Sequence, residues 1–322
     1  MLFMENLGKV LQEKMKSGNM LERYNLLVKK ALSDDDVRSF LLLHKDKLTQ
    51  EDVKKSISKL YEYVKIKENI AQGKEIPMPG YFPSLVISNH RIEVNYVPTV
   101  ELMAQRERIA MQNRVRTIKL PKSLRQARID TYEQTYRQDA LKAAAAFILA
   151  YQKHPKMFPK ALYLHGAVGV GKTYLLAAIA NKLAEDGFES VLVHFPSFAV
   201  EMKSSIGSNV TKQLLDDIKN APILMLDDIG AEQLSSWLRD DILGVILQHR
   251  MQEELPTFFS SNLPMEQLER EYLTINNRGE AEPLKAKRIM ERIRFLATEC
   301  LVGGPNRRNP EEDMNVKKQD PN

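Results

Sequence analysis

The sequence has 322 residues and a modest net charge of +5, and its length allows about two domains. The hydrophobic fraction of 43% and the charged fraction of 28% are typical of a soluble globular protein. No apolar run approaches the roughly eighteen residues of a membrane span, and the N-terminus lacks the pattern of a secretion signal, so we expect a cytoplasmic protein without membrane contact.

The N-terminal part of the chain predicts a group of short helices. Apolar residues at helical spacing predict two short helices over residues 3–30. The acidic run 33–36 is a helix cap ahead of a helix over 37–44. Residues 49–66 begin with a second cap and predict one further helix.

A β appendage follows the helices. Glycine and proline punctuate residues 73–83, and residues 85–97 predict a hairpin that turns near Asn89 and His90. No catalytic group of residues is visible here. We therefore interpret residues 1–105 as a binding module, with a purely stabilising extension as the alternative.

Residues 106–130 form a basic segment, which we interpret as a linker between two domains. Its first part continues a charged helical pattern that breaks before Pro121. Over residues 106–128, one acidic residue, Glu107, stands against eight basic ones: Arg106, Arg108, Arg114, Arg116, Lys119, Lys122, Arg125 and Arg128. A nucleic-acid contact, a basic hinge and a solvated helix face are the open alternatives.

The rest of the chain predicts an α/β domain. Two helices over 124–137 and 139–152 lead to a regular alternation of strands and helices. The predicted strands are 161–165, 190–195, 222–227 and 256–261, and the helices between them are 171–186, 197–206, 210–219 and 235–253. This alternation is typical of a parallel sheet with helices on both faces.

A glycine-rich loop follows the first of these strands. Gly166, Gly171, Lys172 and Thr173 have the spacing of a phosphate-binding loop, in which backbone N–H groups surround the phosphates of a nucleotide, the lysine reaches the β and γ oxygens, and the threonine hydroxyl ligates Mg²⁺. We expect Lys172 to act as a point charge on an exposed loop. The predicted nucleotide-binding residues are Gly166, Ala167, Val168, Gly169, Val170, Gly171, Lys172, Thr173 and Tyr174.

Carboxylates and an amide follow the next two strands. Asp227 and Asp228 end the strand 222–227, so they should lie beside the phosphate loop at the carboxyl edge of the sheet. Asp227 is the candidate to hold Mg²⁺ through water, and Asp228 to polarise the attacking water. Asn262 follows the strand 256–261 and is placed to orient that water. The alternative for the two aspartates is a solubilising cap on the strand, and the alternative for Asn262 is a turn-forming residue.

Two arginines stand four residues apart on a later predicted helix. Arg288 and Arg292 share one helical face, and either could reach the nucleotide of a neighbouring subunit as an arginine finger. A basic helix surface is the alternative. The six histidines are scattered, and the single cysteine, Cys300, lies in an apolar run, so these residue types predict no metal site and no internal disulfide.

The order of these motifs resembles that of AAA+ ATPases, and more closely that of the bacterial replicative helicase loaders of the DnaI family. The similar DnaC loaders and the IstB transposition helpers share the general pattern. The resemblance spans about residues 160–310. It is carried by the phosphate loop, by 224–232, 247–251, 256–262 and 288–292, and by Asn306–Arg308.

The resemblance implies an ATPase that binds the hexameric replicative helicase and delivers it onto single-stranded DNA during primosome assembly. It implies helicase binding by residues 1–105, an AAA+ domain over 131–310 and a polar tail over 311–322. Other primosome or initiator proteins are implied as partners, as is ATP-dependent self-assembly. The implied roles are Walker A for Lys172 and Thr173, Walker B for Asp227 and Asp228, sensor 1 for Asn262, arginine finger for Arg292, and sensor 2 for Arg307, with Arg308 as its alternative.

Two departures from the family pattern change these expectations. Many AAA+ proteins end Walker B with Asp-Glu, so the shorter Asp228 implies slow, switch-like hydrolysis. Members of the family that this sequence resembles carry a cysteine-rich zinc site in the N-terminal domain, and residues 67–74 contain no cysteine, so we expect no zinc there. A small-molecule kinase and a transposition helper or initiator that binds DNA are the rival classes. Neither a substrate motif nor a helix-turn-helix stands out for them.

Overall fold

The computed structural model describes residues 18–204, 209–231, 234–275 and 279–307. The chain divides into two compact units, Met1–Glu107 and Arg108–Asn322. Two short helices were expected over residues 3–30 with an interruption near Gly18, so the first of them lies outside the described residues. Within the described ranges, no helix is long and apolar enough to cross a membrane.

The N-terminal unit consists of short helices and one hairpin. Asp34 caps the second helix by accepting hydrogen bonds from the backbone of Asp36 and Val37, as the acidic run predicts. Ala31, Val37, Leu60 and Ile92 are central in its apolar core. Its elements are α1 (Gly18–Ser33), α2 (Asp35–Leu43), α3 (Gln50–Lys55), α4 (Ile57–Ala71), β1 (Tyr81–Ser88), β2 (Arg91–Pro98) and the start of α5 (Val100–Arg114).

The single helix predicted over 49–66 is wrong, because the chain breaks at Ser56 into α3 and α4. Ser56 is buried, and its hydroxyl donates to the carbonyl of Asp52 and accepts from the backbone N–H of Ile92 in the hairpin. The side chain therefore ties the helix break to strand β2. A serine that bonds a nearby backbone carbonyl competes with regular helix, which explains the break.

The predicted hairpin is present. Strands β1 and β2 pair antiparallel with Ser88 opposite Arg91, which leaves Asn89 and His90 as the two turn residues. Both have positive φ, 49° and 57°, as the tight turns that suit hairpin twist require.

The C-terminal unit is built on a six-stranded sheet of β3 (Val115–Ile118), β4 (Ala161–His165), β5 (Ser190–His194), β6 (Ile223–Asp227), β7 (Thr257–Ser261) and β8 (Ala297–Leu301). Every pair of neighbouring strands is parallel, in the order β3-β5-β6-β7-β4-β8. Alternate residues of β6 enter different apolar clusters: Ile223 and Met225 join one, and Leu224 and Leu226 join the other. The sheet is thus covered by helices on both faces, as the alternation predicts.

The helices predicted after residue 137 are present close to their expected bounds, with two π-helical turns added at Leu238–Leu243 and Leu268–Leu273. The first of these turns begins the helix predicted over 235–253. The α-helices are α6 (Gln138–Lys153), α7 (Lys172–Glu185), α8 (Phe195–Ser204), α9 (Asn209–Lys219), α10 (Gly244–Gln252), α11 (Met265–Gln267) and α12 (Pro283–Leu296).

Two stretches before the first core helix differ from expectation. Val115–Ile118, inside the segment interpreted as a linker, form edge strand β3 and pair with β5. The helix predicted over 124–137 is wrong, since only a 3-10 turn at Lys122–Gln126 forms. The side-chain amide of Asn181 on α7 donates to three backbone carbonyls between 124 and 127. Those bonds hold the segment in a non-helical path along α7.

Candidate nucleotide-binding site

The phosphate loop joins β4 to α7 through three glycines with positive φ: Gly166 at 151°, Gly169 at 80° and Gly171 at 99°. A Cβ at Gly166 would collide with the carbonyl of Val302, and one at Gly169 with the side chain of Asn306. The loop is therefore closed from the far side by residues 302–306, and glycine is required by backbone angle and by space.

Lys172 occupies the centre of this loop. Its ammonium donates to the carbonyls of Gly166 and Ala167 at 2.8 and 2.9 Å and to Oδ1 of Asn262 at 2.7 Å. The side chain is only 7% exposed, although Ala167 and Val168 of the same loop are exposed. The reason is that the loop wraps around the side chain and uses the ammonium to satisfy its own carbonyls. The Lys172 ammonium is therefore already held in position for phosphate oxygens to bind it.

Thr173 and Asp227 form the oxygen-rich part of the site. The threonine hydroxyl donates to both carboxylate oxygens, at 2.9 and 3.1 Å, and the hydroxyl of Ser260 donates to Oδ1 at 2.6 Å. Burial raises the pKa of Asp227 above its ordinary value, against the lowering effect of the two hydroxyl bonds. Oxygen ligands of this kind suit Mg²⁺, so Thr173 and Asp227 fit the ion that accompanies a nucleotide.

Asp228 is held beside this pair. It has a positive φ of 63°, and its backbone N–H donates to the hydroxyl of Ser260 at 2.9 Å. Its carboxylate accepts a long bond of 3.4 Å from the amide of Asn262 and lies 4.0 Å from Nε2 of His194. Ser260 thus connects the two aspartates: it donates to one and accepts from the backbone of the other.

His194 and Ser260 were missed by the sequence reasoning. His194 ends strand β5 and stands in register with Asp227, so the rule that ligands bind at the carboxyl ends of parallel strands would have found it. Its Nδ1 lies 2.8 Å from the hydroxyl of Ser197. Nothing in the local sequence distinguishes Ser260 from its neighbour Ser261.

A cleft of about 710 Å³ opens over these groups. Besides the phosphate loop and the carboxylates, it is lined by the segment between β3 and the 3-10 turn, which includes Lys119, Leu120 and Pro121. Tyr174 lines the cleft too, and its ring stacks on that of buried Tyr132, with centroids 5.9 Å apart. The combination of phosphate loop, carboxylates, apolar wall and volume fits a nucleotide.

The predicted arginines fall into two groups. Arg307 lines the cleft, and its backbone N–H donates to the carbonyl of Gly169 at 3.0 Å. Neither Arg288 nor Arg292 belongs to the cleft formed by the described residues. Arg292 donates to the carbonyl of Gly244 at 2.9 Å, and burial together with nearby Arg288 lowers its pKa. Arg308, the alternative for sensor 2, lies outside the described residues.

Comparisons with known proteins cover both units. The family model "Primosomal protein DnaI N-terminus" matches residues 4–96, and "Bacterial DnaA ATPAse domain" matches residues 130–272. The replicative helicase loader DnaI of Bacillus subtilis is 37% identical over 319 residues, which are 95% of this chain and 100% of the relative.

Solved structures also resemble this chain. A crystal structure of DnaI aligns with a TM-score of 0.54 at 44% identity, covering 61% of this chain and 98% of that one. A putative primosome component from Streptococcus pyogenes serotype M3 aligns with a TM-score of 0.52 at 41% identity, covering 62% of this chain and 97% of that one. Together with the family models, these matches show an AAA+ domain preceded by a DnaI-type N-terminal domain.

Proposed function

Because the chain belongs to the DnaI family of bacterial replicative helicase loaders, we propose that it binds the hexameric replicative helicase and delivers it onto single-stranded DNA, using ATP. The single observation that carries the ATP-dependent part is the group formed by Lys172, Thr173, Asp227 and Asn262 at one edge of the sheet. Lys172 bonds to Asn262 and Thr173 bonds to Asp227, so side chains far apart in sequence meet where the phosphates of a nucleotide would lie.

In this proposal the chain's own residues prepare the phosphates for hydrolysis. The ammonium of Lys172 binds the β and γ oxygens, and Thr173 with Asp227 would hold Mg²⁺, which would neutralise phosphate charge. Asp228 accepts hydrogen bonds from the attacking water and Asn262 orients it. Because Asp228 has a shorter side chain than the glutamate common at this position, hydrolysis is slow and suits a switch.

The two units have separate roles in the proposal. Residues 1–105 bind the helicase, and residues 131–310 bind and hydrolyse ATP; the polar tail 311–322 has no assigned role. The basic segment 106–130 is the candidate contact for single-stranded DNA, and Arg292 acts on the nucleotide of a neighbouring copy. Other primosome or initiator proteins act on the same helicase complex.

The decisive experiment is co-purification with the replicative helicase of the same host. The chain and the helicase are mixed with and without Mg-ATP, separated by size, and then tested for transfer of helicase to a single-stranded DNA circle. We expect a helicase complex with the wild type and ATP-dependent transfer that Lys172→Ala abolishes. The proposal is contradicted if no helicase complex forms, or if transfer is equally efficient without ATP.

One observation favours a second candidate. The match of residues 130–272 to the bacterial DnaA ATPase domain supports an initiator-like ATPase that acts on DNA directly. That candidate requires sequence-dependent binding to duplex DNA in the absence of helicase. A gel-shift assay with duplex and single-stranded oligonucleotides of equal length separates it from the loader, for which we expect no sequence-dependent duplex binding.

A further inference from the structure

The irregular segment that follows β8 is fixed against the phosphate loop. The backbone N–H of Val302 donates to the carbonyl of His165 at 2.7 Å, and that of Arg307 donates to Gly169 at 3.0 Å. The side chain of Asn306 faces Gly169 so closely that a Cβ would not fit. The backbone of Arg307 is thus held at the loop, and only its side chain is left to respond to a bound phosphate.

The guanidinium of Arg307 is held by a carboxylate from another part of the chain. Its Nη2 lies 3.0 Å from Oε2 of Glu133, although the residue also lines the cleft. Glu133 belongs to the irregular stretch ahead of α6 in which a helix was expected. Both side chains are about half exposed, at 43% and 46%, so water can replace either partner.

A second arginine, the buried Arg137, also lies against the carboxylate of Glu133. Nη1 of Arg137 lies 3.5 Å from the same oxygen, and the Arg137 side chain is completely buried. Its guanidinium lies 5.6 Å from the ring centroid of Tyr132 and is close to Gly304. Among the described residues, none of its three guanidinium nitrogens has a hydrogen-bond partner. A buried cation with so few partners strongly favours keeping the carboxylate, so Glu133 should stay in place when Arg307 moves.

We propose that Glu133 is a positioning residue that holds Arg307 away from the phosphates until ATP arrives. It competes with the γ-phosphate for the same guanidinium, while Arg137 keeps it from following Arg307 into the cleft. This inference rests on the proposed binding of ATP in the cleft. ATP has to break the Glu133–Arg307 pair before Arg307 can bind it, whereas ADP lacks the phosphate that would draw Arg307 away.

The test is calorimetric titration of the full chain with Mg-ATP and with Mg-ADP. Glu133→Gln removes the competing charge and keeps the side-chain shape, so we expect about two- to five-fold tighter ATP binding, the range of an exposed ion pair, and unchanged ADP binding. Asp130→Asn is the matched control, because it removes the same charge from an exposed carboxylate in the same stretch. Its affinities should equal those of the wild type.

The role of Arg307 is tested by repeating Glu133→Gln in an Arg307→Ala background, in which the gain in ATP affinity should vanish. A gain that persists there would mean simple charge repulsion and would overturn the proposal. An unchanged or weaker ATP affinity in Glu133→Gln alone would overturn it too. Glu133→Asp keeps the charge but shortens its reach, and should give a smaller gain in the same direction. Failure of the wild type to bind ATP would contradict the proposed function instead.

Discussion

Replacing Ser260 by alanine should separate the ion-binding role of the carboxylate pair from the stability of the sheet. The Ser260 hydroxyl donates to Oδ1 of Asp227 at 2.6 Å and accepts from the backbone of Asp228 at 2.9 Å. A bond to a charged group contributes about 1.5–3 kcal/mol and a neutral one about 1 kcal/mol. We expect Ser260→Ala to lower the free energy of unfolding by about 3 kcal/mol.

The neighbouring serine provides a matched control. Ser261 is equally buried, and its hydroxyl donates to the carbonyl of Ile229 at 2.6 Å and accepts from the backbone of Leu263 at 3.1 Å. It touches neither carboxylate through these bonds. Ser261→Ala should therefore cost about 2 kcal/mol, and the two variants should melt within a few degrees of each other, at about 2–4 °C per kcal/mol.

The two variants should differ in their need for Mg²⁺. Loss of a partner that orients a ligating carboxylate typically weakens metal affinity about ten-fold or more, so Ser260→Ala should need about ten-fold more Mg²⁺ for half-maximal ATP binding.

Because the pKa of Asp227 is already raised, removing a hydrogen bond that lowers this pKa extends the protonated form of Asp227 to higher pH. The Mg²⁺ requirement of Ser260→Ala should therefore rise earlier as the pH falls. Titration of ATP binding against Mg²⁺ at several pH values measures both effects. If ATP binding depended on Mg²⁺ concentration in the same way in both serine variants, Ser260 would have no role in orienting Asp227 for the ion.

Three further predictions concern the loop, the N-terminal unit and the finger. Lys172→Ala should abolish ATP binding measured by calorimetry while the chain still folds, with some loss of melting temperature because the ammonium also satisfies loop carbonyls; unchanged affinity would contradict the phosphate-loop assignment. A fragment of residues 1–105 should fold alone and retain the helicase on a column, and retention by residues 130–322 alone would reverse the domain roles. Arg292→Ala should leave nucleotide binding by the single chain intact and reduce hydrolysis and ATP-dependent assembly, and normal hydrolysis in the assembled state would move the finger to Arg288 or remove it.

The sequence predicts that Lys172, Thr173, Asp227 and Asn262 meet at one edge of the sheet, because two rules apply in succession. The alternation of strands and helices fixes a parallel sheet, and parallel sheets collect their carboxyl ends at one edge. Residues that follow different strands, such as Asp227 and Asn262, are then neighbours without any knowledge of side-chain packing. The same rule predicts that His194, at the end of β5, lies at this edge of the sheet, although that strand was predicted one residue longer than it is.

These rules do not predict the irregular stretch before α6. Its apolar residues are spaced as in a helix, yet the amide of Asn181 binds the carbonyls that a helix would use for itself. Tyr132 then packs beneath Gly171 and stacks on Tyr174. The conformation is decided by partners distant in sequence, so a local pattern cannot predict it, nor can it predict that Glu133 meets Arg307.

The basic segment shows why a count of charges says little about their use. Arg114 donates to the carbonyl of Ala184, Arg116 pairs with Asp217 at 2.9 Å, and Lys119 lies 3.8 Å from Glu201. Each partner comes from a helix of the α/β unit, and the segment supplies that unit's edge strand β3. A phosphate contact by these three side chains would have to displace an existing partner, and the counterion release that drives DNA binding would be offset by that loss. The sequence alone supplies the sign and density of the charge, whereas the topology of the sheet decides which charges are already paired.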